Sequence, residues 1–290
     1  MHSHQQTLAR PVQCTGIGLH SGKRVNLTIK PAAVNHGIKF VRTDLAHRPV
    51  ISAHFRNVVD TSLATTLGTD GVIVSTVEHL MAALVGLCID NALVEMDGYE
   101  APIMDGSAGP FTSMLKEAGI RTQPGKRYTF VVKKPIEMSD GDRKVGLYPS
   151  DTLKITCTIE FDHPLVMRQS YTISLTDGLF EKEISRARTC GFLHEVNYLK
   201  QNGFARGGSL ENAVVIDRDR ILNGEGLRYE NEFVRHKVLD CMGDLSLLGM
   251  PLIGHIVAYK SGHALNHALL KRFIDQKSCW ETVQAPAVSP

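Results

Sequence analysis

The stretch EFVRHKVLDCMGDLSLLG, residues 232–249, combines a helical spacing of apolar residues with several ionisable side chains. Residues four positions apart share one face of an α-helix, so His236 and Asp240 lie together and Asp244 extends the stripe by a turn. Ionisable groups are rarely buried unless they are paired or bind a metal. An imidazole and a carboxylate one turn apart can chelate a divalent cation. The pattern therefore fits a metal site, a solvent-exposed stripe, or a histidine hydrogen-bonded in the core.

A second apolar helix is predicted over VSTVEHLMAALVGL (74–87), with Ser75 or Thr76 as its N-cap. Its His79 would supply a third ligand from a separate segment and leave the open position that a catalytic zinc needs for water. The preceding Glu78 is placed to serve as a general base. The alternative is that Glu78 is an exposed acid favoured by the helix dipole and His79 is an ordinary residue.

The segment AYKSGHALN (258–266) predicts a strand that runs into a turn presenting Lys260 and His263. Loops at strand ends often carry catalytic residues. His263 would act as a general acid if Asp244 orients it and raises its pKa. The alternative is a surface histidine in a turn.

The glycines and lysine of TGIGLHSGK (15–23) invite comparison with a phosphate-binding loop. The spacing does not match G-x-x-x-x-G-K-[ST], and no strand–loop–helix pattern surrounds it. We predict a tight turn between strands that places His20 near the site.

The composition limits the class of protein. The chain of 290 residues is 43% hydrophobic, enough for one large domain or two ordinary ones. Its 32 basic and 30 acidic residues nearly balance, which gives no reason to expect nucleic acid as a partner. The six cysteines form no C-x-x-C pair and are expected to be reduced thiols. With neither an apolar leader nor an uninterrupted membrane span, we expect a soluble cytoplasmic protein.

The two halves of the chain show a faint internal repeat. In each half V-x-H is followed by a glycine seven residues after the histidine, and an apolar helix then leads to a strand. This fits a duplicated plan of strands with helices. The polar segment RTQPGKR (121–127) is the predicted linker, which divides the chain into domains 1–124 and 125–290.

Together these segments carry a resemblance to a known family. TGIGLHSG, VSTVEHLMAAL, PIMDGSAGPF, ISRART, GLRYENEFVRHKVLDCMGDL and AYKSGHALN closely resemble the UDP-3-O-acyl-N-acetylglucosamine deacetylases. These zinc amidases make the committed step of lipid A synthesis in Gram-negative bacteria. The resemblance extends from residue 7 to about 281, and FVRHKxLDxxGDL is its most specific string. It implies an α+β fold of two similar domains, each a β-sheet with a helical layer, with the helices packed between the two sheets.

The resemblance also implies the metal ligands. His79, His236 and Asp240 would hold zinc with water in the fourth place, and Fe²⁺ could occupy the same site in the cell. Glu78 would take a proton from that water as it attacks the acetamide carbonyl. The zinc and Thr189 would stabilise the resulting oxyanion.

Two further catalytic roles follow from the resemblance. His263, held by Asp244, would be cationic and would donate a proton to the leaving amine. Lys237 would lie near the phosphates or the oxyanion of the substrate. Acetate would leave, and the free glucosamine amine would remain.

The rest of the substrate also has implied contacts. Phe161 would stack on the uracil, and an insert near 190–215 would form a passage for the acyl chain. The residues expected to line that passage are Val196, Leu210 and Val215. The other implied substrate contacts are Arg143, Lys260, Glu195, His20 and Leu63. Three positions depart from the family pattern: Cys190 stands in place of phenylalanine, Arg143 in place of a lysine facing the diphosphate, and Glu195 in place of aspartate.

Two other functions remain open on the residues alone. Two histidines and an aspartate also form the facial triad of non-haem iron oxygenases, usually on a jelly-roll of short strands. Here the ligands fall on predicted helices and a glutamate flanks one of them, which favours hydrolysis. A non-catalytic nucleotide-sugar binding protein would be expected to lack Glu78 or a ligand. We therefore expect a monomeric enzyme whose partner is a UDP-linked acylated amino sugar.

Overall fold

The computed structural model describes residues 2–176 and 178–285. Up to residue 126 its elements are β1 (His4–Leu8), β2 (Val12–Ile17), β3 (Arg24–Pro31), β4 (Ile38–Arg42), β5 (Val50–Ser52), β6 (Val58–Asp60), β7 (Thr66–Thr69), β8 (Val72–Val74), α1 (Glu78–Gly86), β9 (Ala92–Met96), α2 (Gly109–Ala118) and β10 (Ile120–Lys126). The later elements are β11 (Tyr128–Val132), β12 (Ile136–Asp140), β13 (Arg143–Tyr148), β14 (Leu153–Glu160), β15 (Arg168–Ser174), α3 (Leu179–Glu183), β16 (Cys190–Phe192), α4 (Leu193–Gln201), β17 (Val214–Ile216), α5 (Glu232–Ser246), β18 (Leu252–Tyr259), α6 (His263–Asp275) and β19 (Trp280–Gln284).

The main sheet of the first half has the strand order β2-β3-β9-β4-β5. Alternate residues of β3, namely Val25, Leu27 and Ile29, are buried, as the two-residue period of a strand with one covered face requires. The pairing of β3 with β9 is antiparallel, and that of β4 with β9 is parallel. A smaller sheet, β6-β7-β8, lies in the segment that leads into α1.

The main sheet of the second half is organised around β18. This strand pairs in antiparallel fashion with β13 and in parallel fashion with both β14 and β11. The outer strands are β12 on β13, β15 on β14 and β19 on β11. Every second residue of β18 is buried, so one face of this sheet also covers the core.

The helices lie in a layer that joins the two sheets. Helix α1 packs along α5, α2 contacts both α1 and β2, and α5 packs on β14 and β15. One continuous apolar core contains residues of both sheets and of these helices. The order of contacts, from sheet to helices to sheet, confirms the predicted α+β class.

Both glycines of the internal repeat lie at close packing contacts. A Cβ atom at Gly243 would lie 2.1 Å from the carbonyl oxygen of Glu78, and one at Gly86 would lie 2.2 Å from Cδ1 of Phe180. Each glycine therefore lets a neighbouring element approach its helix closely. The division into domains 1–124 and 125–290 remains a prediction.

The predicted N-cap of α1 is wrong. The helix begins at Glu78 with Val77 at the cap position and no side-chain cap. Thr76 has a positive φ of 57°, and its hydroxyl donates to Glu100 Oε1 at 3.3 Å. The Ser75 hydroxyl bonds instead to that of Thr66. Both predicted capping groups are therefore engaged elsewhere.

The structure also bears on the predicted linker, on the cysteines and on the membrane-span prediction. The segment predicted as a linker is largely the strand β10, which pairs with β1 in antiparallel fashion. All six cysteines are free, as expected. Within the described ranges, none of the helices combines the length and the apolar character needed to cross a bilayer.

Candidate metal centre and active-site cleft

Three buried side chains from two helices meet at the contact between α1 and α5. His79 comes from the first turn of α1, and His236 and Asp240 come from α5. One potential ligand atom from each residue lies within 4.8 Å of the other two. Asp240 Oδ1 is 3.7 Å from Nε2 of His79 and 3.3 Å from Nε2 of His236. The helix stripe is thus buried rather than solvent-exposed.

The hydrogen bonds and burial of this cluster leave nitrogen lone pairs free for a cation. His236 Nδ1 donates to the carbonyl of Ala187 at 2.9 Å, so Nε2 is the unprotonated nitrogen that faces Asp240. Burial lowers the pKa of His236 to about 4, which keeps the ring neutral. Nδ1 of His79 is also buried, and it has no hydrogen-bond partner in the described part of the chain. Two imidazoles and a carboxylate are the donor set of a catalytic zinc site, so these residues fit a divalent cation.

Asp240 is held ionised by its surroundings. Burial alone would raise its pKa, but His236 and Lys237 beside it hold the pKa of Asp240 well below its usual range. Lys237 Nζ donates to Oδ2 at 2.9 Å, while Oδ1 faces the histidines. The negative charge of Asp240 in turn raises the pKa of Lys237 despite burial. The carboxylate therefore has one oxygen for the lysine and one for the metal position.

Glu78 lies beside the three-residue cluster and is 4% exposed. Its Oε2 accepts a hydrogen bond from the backbone N–H of Thr65 at 3.1 Å. Burial raises the pKa of Glu78, and the nearby His263 only partly offsets this. A carboxylate with a raised pKa is a better proton acceptor near neutral pH.

His263 begins α6 and is fixed by a buried carboxylate. Its Nδ1 lies 2.9 Å from Oδ2 and 3.1 Å from Oδ1 of Asp244. Burial alone would lower the pKa of His263, but the charge and hydrogen bond of Asp244, with other nearby carboxylates, raise it to about 10. The opposite nitrogen, Nε2, points towards Glu78 at 3.8 Å, which is too long for a hydrogen bond. A cationic imidazole and a carboxylate thus face each other next to the metal position.

A cleft of about 450 Å³ opens beside these groups. Among the predicted site residues, its wall contains Glu78, His79, Thr189, His236, Lys237, Asp240, His263, His20, Leu63, Val196, Leu210 and Val215. Much of the remaining wall is apolar and includes Leu19, Ile103 and Leu193. The ionisable cluster therefore shares one cavity with a surface suited to a hydrocarbon chain.

The sequence profile of the UDP-3-O-acyl N-acetylglycosamine deacetylase family matches residues 5–275. The chain belongs to this deacetylase family. Membership makes it a hydrolase that acts on amide bonds, which decides against the oxygenase and the non-catalytic binding protein. The buried His–His–Asp set is accordingly the candidate metal centre of an enzyme.

Several relatives named UDP-3-O-acyl-N-acetylglucosamine deacetylase are similar along nearly their whole length. The Myxococcus xanthus protein is 55% identical over 282 residues, covering 97% of this chain and 90% of the relative. The Syntrophus aciditrophicus protein is 53% identical over 278 residues, covering 96% and 88%. The Saccharophagus degradans protein is 50% identical over 281 residues, covering 96% and 93%.

Four predicted substrate contacts of the deacetylase lie outside the cleft wall. Phe161 is 44% exposed just after β14, with its ring 5.6 Å from that of Phe192. Arg143 begins β13, and Lys260 follows β18 with its Nζ bonded to Asp142 at 2.9 Å. Strand pairing brings these three positions together at the same end of the strands of the second sheet. The fourth, Glu195, is exposed on α4.

Two residues that support the site were missed by sequence reasoning. The Thr65 hydroxyl donates to Asp244 Oδ1 at 2.6 Å, and Asn266 Nδ2 donates to Oδ2 at 2.8 Å. Asn266 lies three positions after His263 on the same face of α6, so helical spacing could have suggested it. Thr65 lies in a loop with no distinguishing pattern.

Proposed function

We propose that the chain is a zinc-dependent deacetylase of the committed step of lipid A biosynthesis. It would remove the N-acetyl group from UDP-3-O-(3-hydroxyacyl)-N-acetylglucosamine, giving acetate and the free glucosamine amine. One observation carries this proposal: a buried donor set for a divalent cation lies beside Glu78 and His263 in the wall of a cleft whose remaining surface is largely apolar. The substrate is taken from the similar proteins, which are named as deacetylases of UDP-3-O-acyl-N-acetylglucosamine.

The metal would be held by His79, His236 and Asp240, whose potential ligand atoms already converge. A divalent cation bound there polarises the amide carbonyl and lowers the pKa of a water molecule. Zinc suits two imidazoles and one carboxylate, and Fe²⁺ accepts the same donors. The remaining chemistry belongs to the side chains of the chain itself.

Glu78 acts as the general base in this proposal. Its raised pKa and its position beside His79 suit a carboxylate that takes a proton from the attacking water. The bond from Thr65 N–H to Oε2 fixes the carboxylate and leaves Oε1 for this proton. The oxygen of the water then forms a bond to the carbonyl carbon of the acetamide.

His263 acts as the general acid. Asp244 keeps it cationic and binds Nδ1, so the proton on Nε2 faces the site. Donation of this proton to the amide nitrogen makes the amine a leaving group as the C–N bond breaks. A neutral amine and acetic acid result, the acid loses its proton to solvent to give acetate, and the proton held by Glu78 can restore the cationic form of His263.

Thr189 and Lys237 would stabilise the developing oxyanion. Both line the cleft beside the candidate ligands, and Lys237 is cationic. Groups preorganised around developing charge contribute strongly to catalysis. The Thr189 backbone is itself fixed, since its N–H donates to Gly106 O at 2.8 Å.

The two ends of the substrate would occupy different surfaces. The acyl chain would follow the apolar cleft past Val196, Leu210 and Val215. His20 and Leu63 line the same cavity. The uracil and diphosphate would bind at the strand ends that carry Phe161, Arg143 and Lys260. Glu195, on the insert, would be a further contact. Binding energy from these distant groups would position the amide.

Acetate release tests the proposal. The purified protein would be stripped with a chelator and given Zn²⁺, Fe²⁺ or no metal. Acetate release from a UDP-linked 3-O-acylated N-acetylglucosamine would then be measured beside metal content. We expect release that depends on the cation and not on oxygen. Turnover by metal-free protein would contradict the proposed metal role. A cytoplasmic location and a monomeric state remain predictions.

A further inference from the structure

A single peptide group, that between Ala187 and Arg188, is held on both sides by helix α5. Its carbonyl oxygen accepts the hydrogen bond from Nδ1 of His236 at 2.9 Å. Its N–H donates to Oε1 of Glu232 at 2.9 Å. Glu232 and His236 are four residues apart, so both point from the same face of the helix. Two hydrogen bonds thus connect the Glu232 carboxylate to this peptide group and the peptide group to His236, a candidate metal ligand.

The carboxylate in this series is fully buried and firmly placed. Glu232 is 0% exposed, and Arg188, at 1%, donates to Oε1 from Nε at 2.8 Å and to Oε2 from Nη2 at 3.1 Å. The backbone N–H of Arg228 donates to Oε2 at 2.7 Å. Glu225 and the Gly226 carbonyl accept the remaining bonds of the guanidinium. Glu232 therefore has a fixed orientation towards the peptide N–H.

We propose that Glu232 is a positioning residue for the metal centre and acts on His236 through the Ala187–Arg188 peptide. This inference rests on the proposed function, because it assumes that His236 binds a cation. Metal-binding histidines commonly donate their second N–H to a carboxylate or a carbonyl, which fixes the tautomer and increases ligand basicity. Here the carbonyl makes the direct contact, and the carboxylate lies one peptide group behind it.

The effect follows from the polarisation of consecutive hydrogen bonds. A negative charge at the N–H side of a peptide moves electron density towards its carbonyl oxygen, and bonds in a chain strengthen one another. A stronger acceptor at Ala187 binds the Nδ1–H of His236 more tightly and makes Nε2 a better donor to a cation. Because both groups are buried, solvent weakens this effect little.

A second buried ion pair offers a matched control. Asp90 accepts the backbone N–H of Gln6 at 2.8 Å and Nε of Arg127 at 2.8 Å, the same two kinds of bond that Glu232 accepts. The side chains of this pair are 14% and 5% exposed. Neither residue belongs to the candidate ligand set or lines the cleft. Losing the Asp90 charge should therefore affect stability without affecting the metal centre.

The experiment compares Glu232→Gln with Asp90→Asn and the wild-type protein. Affinity for Zn²⁺ is measured by competition with a chromogenic chelator, and the melting temperature is measured on metal-free protein. We expect Glu232→Gln to weaken zinc binding by roughly 10- to 100-fold, the usual effect of losing an outer partner of a ligand. Both variants should lower the melting temperature, and Asp90→Asn should keep wild-type affinity. Wild-type affinity in Glu232→Gln would overturn the inference.

A double variant that leaves no unpaired charge keeps the test decisive if Glu232→Gln does not fold. Removing one partner of a buried pair leaves the other uncompensated, so Glu232→Gln alone could fail to fold. The double variant Arg188→Gln/Glu232→Gln removes both charges of the buried pair. Weakened zinc binding in the double variant supports the proposal, and wild-type binding overturns it. If the wild-type protein itself bound no cation, the proposed function would fail instead, so the two failures are distinguishable.

Discussion

Gly243 on α5 lies against the backbone of Glu78 on α1, and a Cβ atom at residue 243 would come within 2.1 Å of the Glu78 carbonyl oxygen. This contact sets the distance between the two helices. Because α1 carries His79 and α5 carries His236 and Asp240, it also sets the distance between the candidate ligands. A packing requirement and the geometry of the site are therefore joined at one glycine.

We expect Gly243→Ala to destabilise the protein although alanine favours helix formation. Propensity alone would stabilise α5 by about 1 kcal/mol, but overpacking against a backbone atom costs roughly 1–3 kcal/mol. The helices must separate, so zinc affinity should fall together with the free energy of unfolding. Denaturant titration and chelator competition would measure both. Gly224→Ala, where an added Cβ meets no atom within 4 Å, is the control and should change neither.

Glu78→Gln should abolish most turnover and leave the metal bound. The amide keeps the size of the side chain and an oxygen that can accept the Thr65 N–H, but it cannot take a proton from water. Loss of a general base reduces kcat by about 10²- to 10⁴-fold. Acetate release and zinc stoichiometry would be measured on the same preparation. A variant that retained turnover near the wild-type rate would exclude Glu78 as the base.

Sequence spacing predicts the part of the site that lies on one helix. His236 and Asp240 are four residues apart, and helix geometry places them together without tertiary information. His79 is more than 150 positions away, so the residues alone offered it as a third ligand but left an ordinary histidine as the alternative, and the resemblance to the family favoured the ligand. The fold class was also predictable, because strands and helices differ in the period of their apolar residues.

Other parts of the site depend on tertiary contacts that have no local signal. Thr65 is a common loop residue whose role arises only because α5 and α6 bring Asp244 and His263 beside it. The N-cap of α1 was predicted wrongly for the same reason. Thr76 has a suitable side chain, but the bond to Glu100 and a positive φ take it out of the capping position.

Asp244→Asn should remove the part of the pH dependence of stability that comes from the titration of His263. The folded pKa of His263, about 10, lies above its usual value of 6.5. Its stabilising contribution is therefore fully present below pH 6.5 and is lost as pH rises through about 10. The variant lacks the charge that raises this pKa. The stability difference between wild type and variant should thus shrink from pH 6.5 to 10 in metal-free protein.

Denaturant titrations of both metal-free proteins at several pH values would measure this difference. Burial lowers the pKa of His236 to about 4, so that residue destabilises the fold only in acid, below pH 6.5, in both proteins. It therefore cancels from the comparison. A difference that stayed constant up to pH 10 would show that Asp244 does not hold His263 in its cationic form.

Val196→Trp should shorten the acyl chain that the enzyme accepts. Val196 lies on α4 and lines the cleft, and its side chain is half-buried. The indole ring would occupy volume that a long acyl chain needs, whereas a short acyl chain would still fit. Because one methylene in an apolar pocket already changes kcat/KM by about tenfold or more, the loss for a long-chain substrate should exceed tenfold.

The comparison requires acetate release from two substrates that differ only in acyl length. Tyr198→Trp places the same indole ring on α4 at a residue that is 66% exposed and outside the cleft, so it should alter neither rate. Equal losses on both substrates would place the acyl chain elsewhere.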